Sequence, residues 1–374
     1  MKIGITCYPT HGGSGVVASE LGLALSKRGH EVHIISYATP FRLGGFHENL
    51  FIHEVEVASY PLFRYPPYAL SLATKIVDVH EEVGLDIIHS HYAVPHAASA
   101  YLAKQVLRSK RLKTITTLHG TDITLVGVDK SFYKVIQFAI EESDGVTAVS
   151  HYLRRRTIDE FSLTKEIRVI HNFVDTERFR PGRNNCVRDR FAEADEKIVL
   201  HASNFRPVKR VGDVVRAFEK IRQQVPSKLL LVGEGPERLF IQQLVKELKL
   251  SPYVVFLGQQ DYIEEFLGCA DLFFQPSEQE SFGLAALEAH SCAIPVIGTD
   301  VGGMREAVKE GETGYLLPVG DIAGMAEKGI AILQDERLAE RLSMEARAMA
   351  VHTFDTSQIV PVYEAFYEEV MASA

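Results

Sequence analysis

Residues 271–290 read DLFFQPSEQESFGLAALEAH. The first seven form a near-continuous apolar run closed by Pro-Ser, as in a strand covered by helices on both faces. After Gly283 the residues turn small and apolar in a helical pattern. The stretch is therefore one strand–loop–helix unit. Two glutamates, Glu280 and Glu288, lie eight positions apart in it. On a single helix, at about 100° per residue, their side chains would sit about 80° apart and share neither a face nor a contact. With the helix starting near Gly283, Glu280 lies in the loop at its mouth and Glu288 lies inside. The first free N–H groups then point between them.

The same alternation runs outward in both directions. Upstream strands are KIGIT (2–6), EVHIISY (31–37), FIHEVEV (51–57), DIIHS (86–90), KTITTLH (113–119), GVTAVS (145–150) and IRVIHN (167–172). A linker, HNFVDTERFRPG (171–182), ends in Pro-Gly. The alternation then restarts with KIVLHAS (197–203), KLLLVG (228–233), YVVFLG (253–258), DLFFQPS (271–277), IPVIGT (294–299) and GYLLPV (314–319). Helical pattern fills most of the intervals. The expected fold class is α/β, with two doubly wound domains of mostly parallel strands. Two domains are also the default for 374 residues. A final helix, FDTSQIVPVYEAFYEEVM, follows, with Pro361 expected to kink it or mark its start.

Composition, at 46% apolar and 24% charged, is that of a soluble globular chain. No run reaches the roughly 18 apolar residues of a membrane span, and the N-terminus reads straight into a strand. Cys7, Cys186, Cys269 and Cys292 are scattered without a CxxC, which points to neither a zinc site nor a disulfide framework and implies a reducing, cytoplasmic setting. A net charge of −9 argues against nucleic acid as a partner. Residues 1–170 carry net +1 and residues 171–374 net −10, so a small anion fits the first half better.

Several stretches carry possible chemistry, each with a plainer alternative. In THGGSG (10–15), Gly12 and Gly13 let the backbone approach a ligand where a helix N-terminus offers N–H groups to an anion; a simple turn is the alternative. The stretch is not GxGxxG, and Ser36 and Tyr37 end the second strand where an acidic residue would bind ribose, so a nicotinamide site is disfavoured. In LHGTD (118–122), His119 stands at the end of a central strand, as a site residue or a structural one. SNFRPVKR (203–210) places Arg206, Lys209 and Arg210 where cations can meet a diphosphate. A merely basic loop there would oppose the helix dipole. VGEGPE (232–237) reads as a turn. For Glu280 the plainer reading is a capping box with Ser277, and for Glu288 a solvated helix position. Yet Gly283, Ala285 and Ala286 allow close approach, and a carboxylate one turn inside can accept both hydroxyls of a ribose diol.

The stretch ESFGLAALE (280–288) resembles the E-x7-E motif of retaining GT-B glycosyltransferases of the glycogen-synthase-like, family 4 type. PVIGTDVGGMREAV (295–308) and GETGYLLPVGD (311–321) match that family too, so the resemblance covers essentially the whole chain. CYPTHGGSGVVASELG, SHYAVPHA and LHGTDIT resemble its branch that moves N-acetylglucosamine from UDP-GlcNAc to the hydroxyl of L-malate, opening bacillithiol biosynthesis.

The resemblance implies two Rossmann-like domains facing across a cleft. Residues 1–170 would bind the acceptor, with a helix at about 355–374 packing back on them, and 171–354 would bind the nucleotide sugar. Glu288 would bind the ribose. Glu280, with the segment Ser281, Phe282, Gly283, Leu284 and Ala285, would hold the donor sugar and its diphosphate. His119 would lie beside the transferred sugar, Gly12 and Gly13 near the phosphates, and Arg206 and Lys209 against the departing UDP. The family form of that last loop is G-R-L-x-P-x-K-G. Here Asn204 takes the usual arginine's place, Arg206 lies two positions later, and Lys209 carries over directly. Ser14, Tyr92 and Arg154 are the candidates for malate, from loop position and charge, although Arg154–Arg156 also reads as a solvated helix face. No metal or other cofactor is expected, because cationic side chains and helix N-termini replace Mg²⁺ and no Asp-x-Asp is present. Rival readings are another family 4 transferase, a UDP-sugar 2-epimerase, a ligand-binding module or a nicotinamide oxidoreductase. A homo-oligomer is compatible with all of them.

Overall fold

The structure, a computed structural model, describes residues 1–10, 12–57, 62, 64–109, 111–124, 129–182 and 187–373. The chain forms two compact units: Met1–Asn172 with Ile359–Ala374, and Phe173–Gln358.

In the first unit the described strands are β1 (Lys2–Thr6), β2 (Glu31–Ser36), β3 (Leu50–Glu54), β4 (Ile87–His91), β5 (Lys113–Leu118), β6 (Gly145–Ala148) and β7 (Arg168–Val169). They form one parallel sheet in the order β3-β2-β1-β4-β5-β6-β7. Strands β1, β4 and β5 are buried almost throughout, which explains their unbroken apolar character. Chain order reverses between β1 and β4. At such a switch point the loops leaving neighbouring carboxyl ends diverge and leave room for a ligand.

The second unit repeats the plan with β8 (Lys197–Ala202), β9 (Ser227–Val232), β10 (Val254–Gly258), β11 (Leu272–Gln275), β12 (Val296–Thr299) and β13 (Gly314–Leu317), ordered β10-β9-β8-β11-β12-β13 and parallel. Its switch point lies between β8 and β11. Leu229, Leu231, Leu272, Phe274 and Ile297 pack there under the helices Val211–Arg222 and Ile322–Gln334.

Three expectations need correction. The segment 171–182 is not a free linker: Phe173, Val174 and Phe179 are buried, Val174 bridges to Asp355, and Arg347 donates to the Thr176 and Phe179 carbonyls at 3.0 and 2.9 Å. Of the two expectations for Pro361, that it starts the last helix is excluded: the helix spans Thr356–Ala372 with the proline in its second turn. From Ile359 this helix belongs to the first unit, where Gly145 leaves room for Phe366 and Val370; a Cβ there would come within 2.8 Å of both. Finally, Cys269 is disulfide-bonded, while Cys7 and Cys292 are free and buried and Cys186 lies outside the described residues. Disulfides follow proximity in the fold, which sequence spacing does not reveal. Among the described residues no helix is long and apolar enough to cross a membrane.

Candidate active site

In the second unit the loop leaving β8 is shaped by glycines from the loop after β9. A Cβ on Gly233 would lie 1.8 Å from the Ser203 carbonyl oxygen, and one on Gly235 2.2 Å from that of Asn204. Only glycine allows these backbones to meet. The Glu237 N–H then donates to the Phe205 carbonyl at 3.0 Å, and buried Phe205 (φ 29°) anchors the loop. Beyond it, the short turn Pro207–Lys209 swings Lys209 across the switch point to the loop after β11. There Lys209 Nζ donates to Glu280 Oε1, which also accepts from Gln275 Nε2 and Ser277 Oγ, each at 2.9 Å. Burial alone would raise the Glu280 pKa, but Lys209 and these donors outweigh it and hold the carboxyl below its ordinary value. Arg206 is exposed and has no ion-pair partner among the described residues, whereas Arg210 is bound to Asp213 and Glu278. His201, buried on β8, bonds the Phe274 carbonyl and Ser203 Oγ, both at 2.8 Å, and so ties the two loop-bearing strands together.

The helix that follows Glu280 is Leu284–Ser291. Gly283 caps its N-terminus at φ 102°, a left-handed conformation that favours glycine, and provides no side chain to occupy the free N–H groups. No acidic residue lies in the first turn, so no carboxylate there offsets the positive end of the helix dipole. The turn Val301–Met304 buttresses this mouth: the Gly303 N–H donates to the Glu280 carbonyl at 2.9 Å, and a Cβ on Gly303 would strike the Ser281 carbonyl oxygen at 2.1 Å. Ser281, Leu284 and Ala285 are half-buried and Phe282 is buried against Phe354. Glu288 is the fifth residue of the helix and only 5% exposed, so it is not a solvated position. Ser277 does bond Glu280, but seven residues before the helix, so the pair is no capping box.

In the first unit the helix Gly13–Lys27 begins directly after β1, with Gly12 as its N-cap and no side-chain cap. A Cβ on Gly15 would lie 2.5 Å from the Thr10 carbonyl oxygen, which makes this third glycine the one that closes the turn. Gly13 is exposed and Ser14 half-buried. At the end of β4, Tyr92 adopts φ 104°, a strained value for a non-glycine residue. Its N–H donates to the Thr117 carbonyl at 3.0 Å and its ring stacks on His119, centroids 5.8 Å apart. His119 follows β5 and is hydrogen-bonded through Nε2 to His91 Nδ1 at 2.8 Å. Asp122 clamps both loops by accepting from the N–H groups of Ala93, His119 and Gly120. His119, Tyr92 and the end of β4 are thus brought together. Arg154 is not: it is exposed on the helix His151–Phe161, and among the described residues no hydrogen bond or ion pair ties it to Ser14 or Tyr92.

Sequence reasoning missed His91, His89, His96, His201 and Gln275. The available signal was a polar residue closing an otherwise apolar parallel strand, as in DIIHSH and KIVLHAS.

Burial holds His89, His96 and His119 at pKa values of about 3 and His91 well below 6.5. Groups with depressed imidazole pKa values stabilise the native state above about 6.5 and lose that contribution as pH falls, because the unfolded chain takes up protons first. Each costs up to about 1.4 kcal/mol per pH unit below that point. Asp122 works the other way: burial raises it to about 6, so its contribution recovers as pH falls through 6. Four imidazoles outweigh one carboxylate. The melting temperature is therefore expected to drop between pH 7 and pH 5, above the range where carboxylates of ordinary pKa protonate. Calorimetry at constant ionic strength checks this, and a flat profile would contradict it.

Comparison with known proteins agrees with this anatomy. The family described as Glycosyltransferase Family 4 matches residues 11–178, and Glycosyl transferases group 1 matches residues 185–349. N-acetyl-alpha-D-glucosaminyl L-malate synthase of Bacillus anthracis is 49% identical over 373 residues, covering 99% of this chain and 97% of that protein. A glycogen synthase of Mycobacterium tuberculosis is 27% identical over 72% of this chain and 65% of its own length. Among solved structures, sucrose-phosphate synthase from Thermosynechococcus elongatus superposes with a TM-score of 0.82 at 24% identity, over 100% of both chains. The Anabaena protein Alr3699/HepE, solved with UDP and glucose, gives 0.84 at 21% identity over 98% of this chain and 99% of its own. The open helix mouth with its Lys209–Glu280 pair sits in a chain that belongs to the GT-B glycosyltransferases of family 4.

Proposed function

We propose that the protein transfers N-acetylglucosamine from UDP-N-acetylglucosamine to the hydroxyl of L-malate with retention at the anomeric carbon, the first step of bacillithiol biosynthesis. The observation that carries this reading is the near-full-length likeness to a relative named N-acetyl-alpha-D-glucosaminyl L-malate synthase. The geometry of the second unit supplies the donor chemistry. Glu288 takes the ribose diol, and the N-terminus of the helix Leu284–Ser291 takes the diphosphate together with Arg206 and Lys209. Glu280 takes hydroxyls of the sugar. Gly12, Gly13 and Ser14 at the first helix of the first unit, with Tyr92, offer N–H and hydroxyl donors to carboxylates or phosphate.

The bond from the anomeric carbon to the diphosphate breaks, and its electron pair leaves on UDP. The malate hydroxyl oxygen bonds the same carbon from the same face, and its proton passes to the departing phosphate oxygen. No enzyme nucleophile enters. Catalysis is positioning plus stabilisation of charge on UDP by groups already in place. On this reading the cations do the work of a metal ion, and the setting is cytoplasmic.

The test mixes protein, EDTA, UDP-N-acetylglucosamine and L-malate, follows UDP, and reads the product's anomeric coupling by NMR. A malate-dependent α-glucosaminide is expected. UDP release that ignores malate would replace this reading with hydrolysis or 2-epimerase chemistry.

A further inference from the structure

His119 is held from two sides. Its ring is flanked by Tyr92 and joined edge to edge to His91, with centroids 5.0 Å apart, planes within 25° and a single nitrogen contact of 2.8 Å. Both imidazoles are neutral near pH 7, so one must donate and the other accept. His91 decides which. Its remaining nitrogen, Nε2, is buried without a hydrogen-bond partner among the described residues. If His119 donated, His91 would have to carry its proton on that Nε2, leaving an orphaned N–H in the interior. Orphaned buried N–H groups are rarer than unsatisfied acceptors. If His91 donates from Nδ1, only an unprotonated lone pair is left unpaired. His119 Nε2 then accepts, and its proton must sit on Nδ1, the ring nitrogen that no group among the described residues engages.

The support beneath is itself bonded. His89 packs on His91 at 4.4 Å and is fixed by Tyr367 of the last helix at 2.7 Å and by Thr117 Oγ1 at 2.6 Å.

We propose that His91 is a positioning residue that locks His119 in its Nδ1–H tautomer, so that the ring offers the substrate a hydrogen-bond donor. This rests on the reading of His119 as a residue that touches substrate, and the test separates the two.

Long-range ¹H–¹⁵N correlation spectra of the ¹⁵N-histidine-labelled protein at pH 7.5 report the tautomer directly. The expected result is His119 and His91 both protonated on Nδ1. A His119 protonated on Nε2 would overturn the inference. His91→Phe, which removes the donor, should release an Nε2–H population of His119 and lower kcat about 10-fold, the worth of one hydrogen bond to a developing charge. His91→Asn, whose amide can donate in place of Nδ1–H, should restore the Nδ1–H signature and most of kcat. Equal loss in both variants with an unchanged His119 tautomer would mean that His91 is only packing. An intact tautomer beside an active His119→Ala variant would instead remove His119 from the substrate and leave the positioning claim without a catalytic consequence.

Discussion

Lys209→Ala is expected to lower kcat by about 100- to 1,000-fold and stability by about 3–5 kcal/mol. Both effects have one origin. Lys209 and Glu280 form a pair in which the side chains are only 22% and 12% exposed. Without the ammonium, Glu280 keeps Gln275 and Ser277 but loses its counter-charge, and its pKa, now set mainly by burial, must rise. The stability the pair contributes is present above the ordinary carboxylate pKa and fades as pH falls through the depressed one. The alanine variant should therefore lose its excess instability in acid. The catalytic loss has a different logic, since it reflects charge that develops on UDP only as the glycosidic bond breaks. Lys209→Ala/Glu280→Gln should accordingly regain most of the melting temperature and none of kcat. Thermal melts and single-turnover rates on the three proteins decide the matter. A double variant that recovers both would make the pair structural, and a Lys209→Ala variant with unchanged kcat would remove the lysine from catalysis.

The scaffold was largely legible because parallel strands buried on both faces leave an unbroken apolar trace. The thirteen described strands each fall on a run read from the sequence. The ends were less legible. IRVIHN shrinks to Arg168–Val169, since an edge strand pairs only where its one neighbour reaches. The placement of the glycine loops at strand ends, and of Glu280 before and Glu288 within one helix, could be read because those residue types have few other uses there. What could not be read is contact made by topology. Lys209 meets Glu280, 71 residues away, only because β8 lies beside β11. His89 and His91 share one face of β4, and the register His91 with Thr117 brings His119 beside them. Arg154 was nominated by charge and loop position, and it lies exposed on the helix His151–Phe161.

Glu288→Ala is expected to raise the KM for the nucleotide sugar about 100-fold, the loss of two hydrogen bonds to a charged acceptor, with kcat changed far less. Glu288 is 5% exposed and lies one turn inside the helix Leu284–Ser291. A ribose diol bonded there is held equally in the ground and transition states, so its loss should appear in KM and not in kcat. Titration with UDP and 2′-deoxy-UDP tests the assignment without turnover. The wild type should bind the deoxy nucleotide about 10-fold more weakly, and Glu288→Ala should bind both alike. If the variant still discriminates between them, the 2′-hydroxyl is read elsewhere and Glu288 serves the fold of the helix mouth. If neither protein discriminates, the 2′-hydroxyl contributes nothing to binding, and the same titration with 3′-deoxy-UDP decides whether Glu288 reads the diol at all.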